Sequence, residues 1–583
     1  MALADLNIPT GTDLPSHRIL INGSELDSSC TIKSLTVTKA VNKIPTARLE
    51  IIDGSIPEAD FSHSNEDTLV PGNEIEVKLG YHGDEESVFK GIIVKHGIKT
   101  ISANASSLLM VEAKDVAVKM TIGRKNRYFS EVTDSEVLET ILGDYGDTSP
   151  EIEATTDIHA QMVQYYCTDW DFVVTRAETN GHLTMVDDGT LKTTPPDYAQ
   201  DAIANLAYGH NILSFDFEMD ARNQFASIET RAWDTANQEV ITSSNQAPDI
   251  TELGNMSSSD LSETIGLEPL NYQHTGSLNP EELQAWTNAR MLRSKLSKIM
   301  GTVKITGNNE IKPGHLVNLE GMGDRFNGTA FVAGVSHTYG SSWHTHLQIG
   351  LSHKFLTETY DDVQAIPSSA LLPAINGLHI GIVTAIHDDP LGENRIKVKL
   401  PLISAEEEGT WARITTLDAG ENRGSFFMPE VGDEVIVGFL NDDPRNPVVI
   451  GMVHSSAKPA PFAAEEENNE KGFVTRSEMK VVFNDDLNHI LLETPAGNKL
   501  MLSEDEEAIL VEDQNGNKVT LDGDGILLDS IGDITIKASG DVNIEGVNVN
   551  VTAQSAFKAE GASGAEVSSS ASTAIKGSVV QLN

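Results

Sequence analysis

The chain has 583 residues, of which 39% are hydrophobic and 5% aromatic, and its formal net charge at pH 7 is −46. This length corresponds to several domains, and the hydrophobic content supplies a core for each of them. A surface so acidic repels phosphate backbones and anionic lipid headgroups, which excludes binding to nucleic acid or to a membrane surface as the main function.

The two cysteines, Cys30 and Cys167, lie in separate segments, so we expect reduced thiols and no disulfide framework. Residues 1–20 lack a basic region followed by an apolar run, and no stretch approaches eighteen apolar residues. We therefore expect synthesis and folding in the cytoplasm. If the protein leaves the cell, something other than a classical signal peptide must carry it.

Short strands separated by turn residues dominate the chain from about residue 17 to residue 99. Turn chemistry at residues 71–73 (PGN) and 82–84 (HGD) separates segments such as 74–79 and 89–94, which are rich in aliphatic residues. This pattern predicts an antiparallel barrel or sandwich.

Helical periodicity appears after this first block. Residues 134–142 carry an apolar stripe, and Gly143 stands where a left-handed C-cap belongs. Residues 169–180 carry a similar apolar stripe, and Gly181 follows them. Both segments therefore predict short amphipathic helices.

The clearest helix signal begins at Asn279, with Pro280 in the first turn and Glu282 three residues after the cap. Its apolar stripe continues to Ile299, and we expect Gly301 to end it. Strands resume between residues 302 and 351.

Two breaks divide the remainder of the chain. Residues 366–373 contain two prolines and predict a linker, after which residues 377–454 form a compact all-β block. Residues 455–471 contain two further prolines and a run of three glutamates, which predicts a second, solvated linker.

The compact block contains a tight corner at Pro429 and Gly432, after which Val435, Val437 and Phe439 alternate as one buried strand face.

Three aromatic residues of this block require a choice between two roles. Small β-barrels can bind oligonucleotides or oligosaccharides through exposed aromatic residues, and Trp411, Phe426 and Phe427 are candidates for such a face. Because the acidity opposes nucleic acid, we expect core packing for these rings.

Residues 488–583 repeat short alternating strands at a nearly fixed step. Residues 532–536 (GDITI) return eight positions later as residues 540–544 (GDVNI), and Gly546 opens another unit. Each unit offers about three inward aliphatics, too little apolar area to offset a backbone entropy of about 1–2 kcal/mol per residue. The tail therefore predicts an intertwined β-helix of three identical chains. The alternative is a single-chain β-solenoid, whose coils usually run longer than eight residues.

Catalytic and metal-binding motifs are mostly absent from the sequence. It contains no His-Glu-x-x-His, phosphate-loop or paired-cysteine motif, so we assign no catalytic, cofactor-binding or metal-binding residue. Residues 513–518 begin like a calcium loop, but Lys518 occupies the position of the required glycine, which favours a hairpin corner. His344 and His346 face the same side of a strand, and whether this pair binds a metal stays open because two ligands do not make a site.

Several ordered segments resemble one family. The compact block contains residues 424–439 (GSFFMPEVGDEVIVGF) and 443–451 (DPRNPVVIG), which resemble the OB-fold domain of the VgrG family. VgrG proteins are the spikes of type VI secretion systems and related contractile injection systems, akin to the spikes of contractile phage tails. Upstream, residues 164–172 (QYYCTDWDF), 311–314 (IKPG) and 325–328 (RFNG) resemble the hub portion of that family.

The resemblance implies a mainly β fold with a few helices. It comprises β-barrel hub domains, an OB-fold barrel and a C-terminal intertwined trimeric β-helix. The expected domains are a phage-hub-like β-barrel region with helical insertions (1–372), the OB-fold domain (373–455), a linker (456–480) and the triple-stranded β-helix spike (481–583).

The resemblance also implies a function without catalysis or cofactors. A homotrimeric spike joins the inner tube and baseplate to the tip and punctures the target envelope when the sheath contracts. The implied partners are inner-tube (Hcp-like) and baseplate proteins at the hub, with effector cargo left open, and no nucleic acid. A PAAR-repeat tip protein is expected at the C-terminal end through Val579, Val580, Leu582 and Asn583. The protein is expected in the cytoplasm during assembly and outside the cell as part of the particle, without a signal peptide.

Two alternatives remain at this stage. One is a phage tailspike or adhesin that binds surface glycans, although no large receptor-binding domain is visible. The other is a spike with its own envelope-degrading activity, but the gap of residues 455–479 is too short for an enzyme domain and we expect none after Asn583. The sequence leaves open the choice among a type VI system, an extracellular contractile particle and a phage tail, as well as the cargo and the target cell.

Overall fold

The computed structural model describes residues 14–100, 107–246, 248 and 250–582. The chain divides into two compact units, of which the first comprises Met1–Asn376 and Phe439–Pro444 and the second comprises Gly377–Gly438 and Arg445–Asn583. Strands account for 39% of the residues and helices for 12%, which confirms the predicted mainly β fold with a few helices.

The first unit contains most of the secondary structure. Its helices are α1 (Asp134–Leu142), α2 (Asp169–Thr179), α3 (Ser258–Ile265), α4 (Pro280–Leu296) and α5 (Leu356–Thr359). Its strands are β1 (Pro15–Ile21), β2 (Ser24–Glu25), β3 (Ile32–Ala40), β4 (Thr46–Ile52), β5 (Glu74–Tyr81), β6 (Asp84–Lys99), β7 (Leu108–Lys114), β8 (Lys125–Thr133), β9 (Ser149–Ile152), β10 (Ile158–Cys167), β11 (Leu183–Asp187), β12 (Thr190–Thr194), β13 (Ala204–Ala207), β14 (Ile212–Met219), β15 (Ile228–Asp234), β16 (Glu239–Ser244), β17 (Leu270–His274), β18 (Ile299–Thr306), β19 (Leu316–Glu320), β20 (Gly328–Tyr339) and β21 (Trp343–Ile349).

A thirteen-stranded sheet organises this unit. Its main path runs β14-β18-β21-β20-β3-β4-β7-β6-β5-β1-β2, and β13 and β19 join at β20. The strands predicted between residues 17 and 99 are present and pair antiparallel. Strand β20 pairs with both β21 and β3, so two chain segments separated by about 290 residues share one sheet. Alternate residues of β1 and β3–β7 bury one apolar core, as period-two patterning requires.

Helices α1 and α2 form where the sequence predicts them. Thr133 and Glu136 close a capping box at the start of α1. Gly143 follows α1 in a right-handed conformation with φ of −59°, so the predicted left-handed cap is wrong there. After α2, Gly181 does adopt a positive φ of +72°, which glycine tolerates because it lacks a Cβ.

Helix α4 begins as predicted and ends earlier than predicted. The side chain of Asn279 accepts a hydrogen bond from the backbone N–H of Glu282, which confirms the cap. The helix stops at Leu296 rather than at Gly301, because Ile299 already opens β18. That strand pairs with β14 on one side and β21 on the other, and the two ladders replace the helical hydrogen bonds.

Helix α3 is absent from the sequence-based prediction, although a local signal exists. Ser257 and Asp260 form a capping box, and Gly266 closes the helix with φ of +67°.

The second unit begins with a closed five-stranded barrel in the order β22-β23-β24-β28-β27, and a short hairpin of β25 and β26 precedes β27. The predicted face is buried at Val435 and Val437, while Phe439 is half-buried. The strands are β22 (His379–Ala385), β23 (Ile396–Lys399), β24 (Thr410–Ile414), β25 (Ala419–Gly420), β26 (Arg423–Gly424), β27 (Glu434–Phe439) and β28 (Pro447–Met452).

Seven further strands form an antiparallel meander in chain order. Strand β29 lies inside the segment 456–480, which the sequence predicts as a linker, and pairs with β30 over five residues. From residue 531 to residue 582 there is no strand and every residue is exposed. The seven strands are β29 (Glu470–Val474), β30 (Lys480–Asn484), β31 (His489–Glu493), β32 (Lys499–Ser503), β33 (Ala508–Glu512), β34 (Lys518–Asp522) and β35 (Gly525–Asp529).

Both cysteines are free, as predicted. Cys30 is buried, and burial raises the pKa of the Cys167 thiol to about 11, so neither is an activated nucleophile. Within the described part of the chain, no helix combines the length and the apolar composition needed to cross a bilayer.

Candidate functional site

The C-terminal meander is built on a repeat of nineteen residues. Lys480, Lys499 and Lys518 open β30, β32 and β34, and each of these strands has five residues. Because every strand in this region has the same length and successive strands pair without a register shift, equivalent positions line up across the sheet. The predicted eight-residue step lies further along the chain, and this longer period is absent from the sequence-based prediction, although the regularly spaced lysines are a sufficient signal for it.

Across β30 to β35, one face of this sheet is composed entirely of apolar side chains, while on β29 Lys471 lies opposite Phe483 on the same face. The register arranges them in two rows that run across the strands, and we call these twelve residues the apolar face. The first row contains Val481, Leu492, Leu500, Val511, Val519 and Leu528, and the second contains Phe483, Ile490, Leu502, Ile509, Leu521 and Ile526.

The opposite face, which we call the charged face, carries ion pairs at its margin. The ammonium of Lys480 lies 3.6 Å from a carboxylate oxygen of Glu493, and that of Lys499 lies 3.1 Å from one of Glu512. These long side chains flank a central row of mostly apolar residues. The row contains Val482, Leu491, Met501, Leu510, Thr520 and Leu527.

Burial differs between the two faces. On the charged face, Val482 and Met501 are at most 8% exposed because rows on both sides shield them, while Leu527 of the last strand, β35, is 56% exposed. On the apolar face, nine of the twelve side chains are 38–75% exposed. A contiguous apolar surface of this kind in a single chain marks an interaction site.

The hairpin corners of the meander are satisfied internally. One carboxylate oxygen of Asp513 accepts hydrogen bonds from the backbone N–H groups of Asn515 and Asn517, both at 2.9 Å. Hydrogen bonds from the Asn517 side chain and backbone, and from Asn515, lower the pKa of Asp513 to about 2. The loop joins β33 to β34, so the predicted hairpin corner is confirmed.

The residues predicted to bind a tip protein lie in the exposed C-terminal segment. Val579, Val580 and Leu582 are exposed, and no strand contains them. Asn583 lies outside the described residues. Their role as a binding site stays a prediction.

Two of the three barrel aromatics are not core residues. Phe426 is 75% exposed and Phe427 is 59% exposed, so the prediction of core packing is wrong for both. They follow the β25–β26 hairpin and lie outside the strands that close the barrel. Phe427 instead stacks on Phe473 of β29, with ring centroids 5.4 Å apart, and Trp411 is half-buried on β24.

The histidine pair His344 and His346 lies on β21, half-buried. His346 contacts the hydroxyl of Thr338 at 3.4 Å and His344 that of Ser342 at 3.3 Å. Burial, reinforced by Lys304, lowers the pKa of both rings.

Among the described residues, a different set of metal-ligating side chains converges. Ligand atoms of Asp157, His159 and Glu282 all lie within 4.8 Å of one another. The sequence gives no local signal for this group, because Glu282 is more than 120 positions from the other two.

Two family models match the chain in the regions just described. The Alg8 N-terminal domain model matches residues 11–340, more than half of the chain. The chain belongs to the Alg8 N-terminal domain family. A second model, the type VI secretion system/phage-baseplate injector OB domain, matches residues 379–454, which contain the closed barrel of the second unit.

Curated relatives of this Alg8-family chain are spike proteins. It is 30% identical over 180 residues to the type VI secretion system spike protein VgrG1a of Pseudomonas aeruginosa, covering 29% of this chain and 28% of that protein. It is 30% identical over 136 residues to VgrG3 of Vibrio cholerae, covering 22% of this chain and 13% of that protein. The aligned segments thus span less than a third of either relative. The predicted resemblance to VgrG spike proteins is confirmed.

Solved structures with a similar arrangement include a tail protein from Neisseria meningitidis MC58. It is 15% identical, covers 58% of this chain and 96% of its own length, and superposes with a TM-score of 0.43.

Proposed function

We propose that this chain is the structural homotrimeric spike of a contractile injection machine and acts without catalysis. The observation that carries the proposal is the apolar face, which a single chain leaves exposed. A contiguous face of twelve aligned apolar side chains, nine of them exposed, indicates that another surface covers it.

Sister copies are the occupants we assign to this face. Fully burying one aliphatic side chain contributes about 1.5–3 kcal/mol, so covering twelve partly exposed ones contributes on the order of 10 kcal/mol per chain. Three sheets packed around a common axis bury their apolar faces together and leave their charged faces in water. The identical nineteen-residue period of each copy keeps the rows of the three chains in register.

The exposed segment 531–582 extends the same argument. It carries aliphatic residues at alternate positions, as in Ile534 and Ile536 or Val547 and Val549, yet forms no strand within one chain. Backbone ladders between three intertwined chains supply both the missing hydrogen bonds and the missing interior. Breaking many such ladders at once is slow, which gives the kinetic stability that puncturing an envelope requires.

The partners follow from the two ends of the proposed spike. We assign inner-tube (Hcp-like) and baseplate proteins to the hub formed by the first unit. A PAAR-repeat tip protein is assigned to Val579, Val580, Leu582 and Asn583, because open strand edges at a blunt trimer end favour capping. Assembly takes place in the cytoplasm, and the spike leaves the cell with the particle.

Electron cryomicroscopy of particles purified from the producing bacterium tests this function. We expect threefold density for this chain at the baseplate end of the tube, with a cap beyond it. Deleting residues 577–583 should remove the cap and leave the threefold spike, because only the end surface is lost.

Particles that assemble normally without this chain, or density for it along the outer surface, would contradict the spike. A cap that persists after the deletion would contradict the tip contact alone.

A further inference from the structure

A compact cluster of ligand atoms lies in the first unit. His159 is the second residue of β10 and its side chain is 5% exposed, while Asp157 precedes that strand. Glu282 is in the first turn of α4. The Nδ1 atom of His159 lies 3.8 Å from Oδ2 of Asp157 and 3.8 Å from Oε2 of Glu282. These separations are too long for hydrogen bonds.

The surroundings determine which ring nitrogen of His159 carries its proton. Nε2 lies 3.1 Å from Oδ2 of Asp134 and 3.3 Å from Nη2 of Arg176. The two hydrogens of that Nη2 atom are directed to Asp134 Oδ2 and Glu282 Oε1, both at 2.9 Å. Nε2 therefore donates to Asp134, and Nδ1 is the nitrogen that faces the carboxylates of Asp157 and Glu282.

The carboxylate of Asp157 provides a second, independent observation. Its Oδ1 accepts a hydrogen bond from the side-chain amide of Asn279 at 2.8 Å. Its Oδ2 is buried and has no hydrogen-bond partner. A buried acceptor without a partner costs about 1–3 kcal/mol, so an occupant that satisfies this atom stabilises the unit.

The charges around the cluster indicate what kind of occupant fits. The carboxylates of Asp134, Asp157 and Glu282 contribute three negative charges, and the guanidinium of Arg176 contributes one positive charge. A metal-bound His159 is neutral, so the charge of the surrounding side chains is then −2, which one divalent cation balances.

We propose that Asp157, His159 and Glu282 bind one divalent transition-metal ion, with Zn²⁺ as the best match. Imidazole nitrogens and carboxylate oxygens are both ligands that Zn²⁺ takes in proteins, with bonds about 2.0–2.2 Å long. Ligand atoms in a tetrahedral site of that size are about 3.3–3.6 Å apart, so small side-chain movements close the site.

The hydrogen-bond partner of His159 and the remaining ligand position also fit this ion. The hydrogen bond from His159 to Asp134 reproduces the carboxylate–histidine–metal arrangement that orients a metal-binding imidazole. The side chains of Asp157 and Glu282 are 12% and 16% exposed, which leaves room for a water as the fourth ligand. The bound ion would fasten the start of α4 to the start of β10.

Metal uptake by the full-length protein tests the site. After removal of metal with a chelator, the wild-type protein should take up one Zn²⁺ per chain, measured by elemental analysis. Asp157→Asn should abolish this uptake, because the amide loses the charge and presents a weaker ligand. The double variant His344→Gln/His346→Gln is the matched control and should retain one Zn²⁺ per chain.

Two further readouts keep the test independent of folding defects. Co²⁺ bound at the site should give visible absorption in the wild type and not in Asp157→Asn, and Zn²⁺ should raise the unfolding temperature of the wild type alone. If circular dichroism shows that Asp157→Asn is unfolded, Glu282→Gln takes its place.

A folded, metal-free wild type that takes up neither ion overturns the proposal and assigns the cluster to a protonated His159. Equal uptake by the ligand variants, or loss of uptake in the β21 control, overturns it as well.

Discussion

At the scale of single residues, the first unit buries ionisable side chains that are either paired or held neutral. His337 is one of the side chains held neutral. The hydroxyl of Thr345 donates to the carbonyl of Asn308, so Nδ1–H of His337 donates to the Thr345 oxygen at 3.1 Å. Burial, with smaller contributions from Lys39 and His346, lowers the pKa of His337 to about 3.

This shift predicts how His337 contributes to acid sensitivity. The ring has a pKa near 6.5 when unfolded and about 3 when folded, so below pH 6.5 the unfolded state binds more protons. Its contribution to stability is intact above pH 6.5 and is lost as the pH falls towards 3. Between pH 7.5 and pH 5.5 the loss is about 1 kcal/mol.

Thermal unfolding of the full chain at several pH values tests this prediction. We expect His337→Gln to unfold with a weaker pH dependence than the wild type over that interval, whatever its stability at neutral pH. His210→Gln, at an exposed position, is the control and should keep the wild-type dependence. Identical pH profiles for His337→Gln and wild type would contradict the assignment.

At the scale of elements, the C-terminal sheet shows how strand length decides which face is apolar. In a five-residue strand, three side chains point to one face and two to the other. In β30 to β34 the outer positions hold mainly charged or polar residues, and the two inner alternate positions hold aliphatic or aromatic ones. This arrangement produces a purely apolar two-row face and a three-row face with polar margins.

Two neighbouring residues of β34 lie on opposite faces of the sheet and so distinguish the proposed interface from the charged face. Leu521 lies on the apolar face and Thr520 on the charged face, with opposite side-chain directions. Leu521→Lys should prevent trimer formation, because burying an unpaired ammonium in each of three copies costs several kcal/mol per site. Light scattering should then report the chain mass of 62.9 kDa instead of about 189 kDa for three chains.

Thr520→Lys is the matched control and should remain trimeric, since its side chain projects into water beside the ion pairs. Trimer assembly by Leu521→Lys, or equal disruption by both variants, would place the interface elsewhere.

At the scale of the whole molecule, charge opposes the proposed assembly. Each chain carries a formal charge of −46, so three copies bring together a charge of about −138. Salt screens this repulsion, because the Debye length falls from about 30 Å at 10 mM to about 10 Å at 100 mM ionic strength. The apolar contacts that hold the chains together are not weakened by such concentrations.

Raising sodium chloride from about 10 mM to about 300 mM should therefore slow dissociation of the trimer and raise its apparent unfolding temperature. Native mass measurement at both concentrations, after the same incubation in mild denaturant, checks the direction. Faster dissociation at the higher concentration would mean that attractive ion pairs between chains, rather than apolar contacts, dominate the interface.

Sequence by itself determined much of this protein, wherever the signal is local. Apolar stripes placed α1 and α2, capping residues placed the start of α4, and the order of motifs in residues 424–451 identified the barrel. Alternation without an interior predicted that the tail has too little apolar area to fold alone, and residues 531–582 form no strand within one chain. Each of these features depends on residues within a few positions of one another, so the amino-acid sequence alone is enough to predict it.

Only the tertiary structure decided the features that depend on distant partners. Ile299 lies in β18 rather than in α4, because β18 pairs with the remote strands β14 and β21. Phe426 and Phe427 are exposed because the barrel closes without them. Register across five hairpins, rather than composition, aligned twelve apolar residues on one face. The ligand atoms of Asp157, His159 and Glu282 meet only because the fold brings the first turn of α4 close to the start of β10. Sequence separation hides such contacts, since the energy that selects them arises only after the chain has folded.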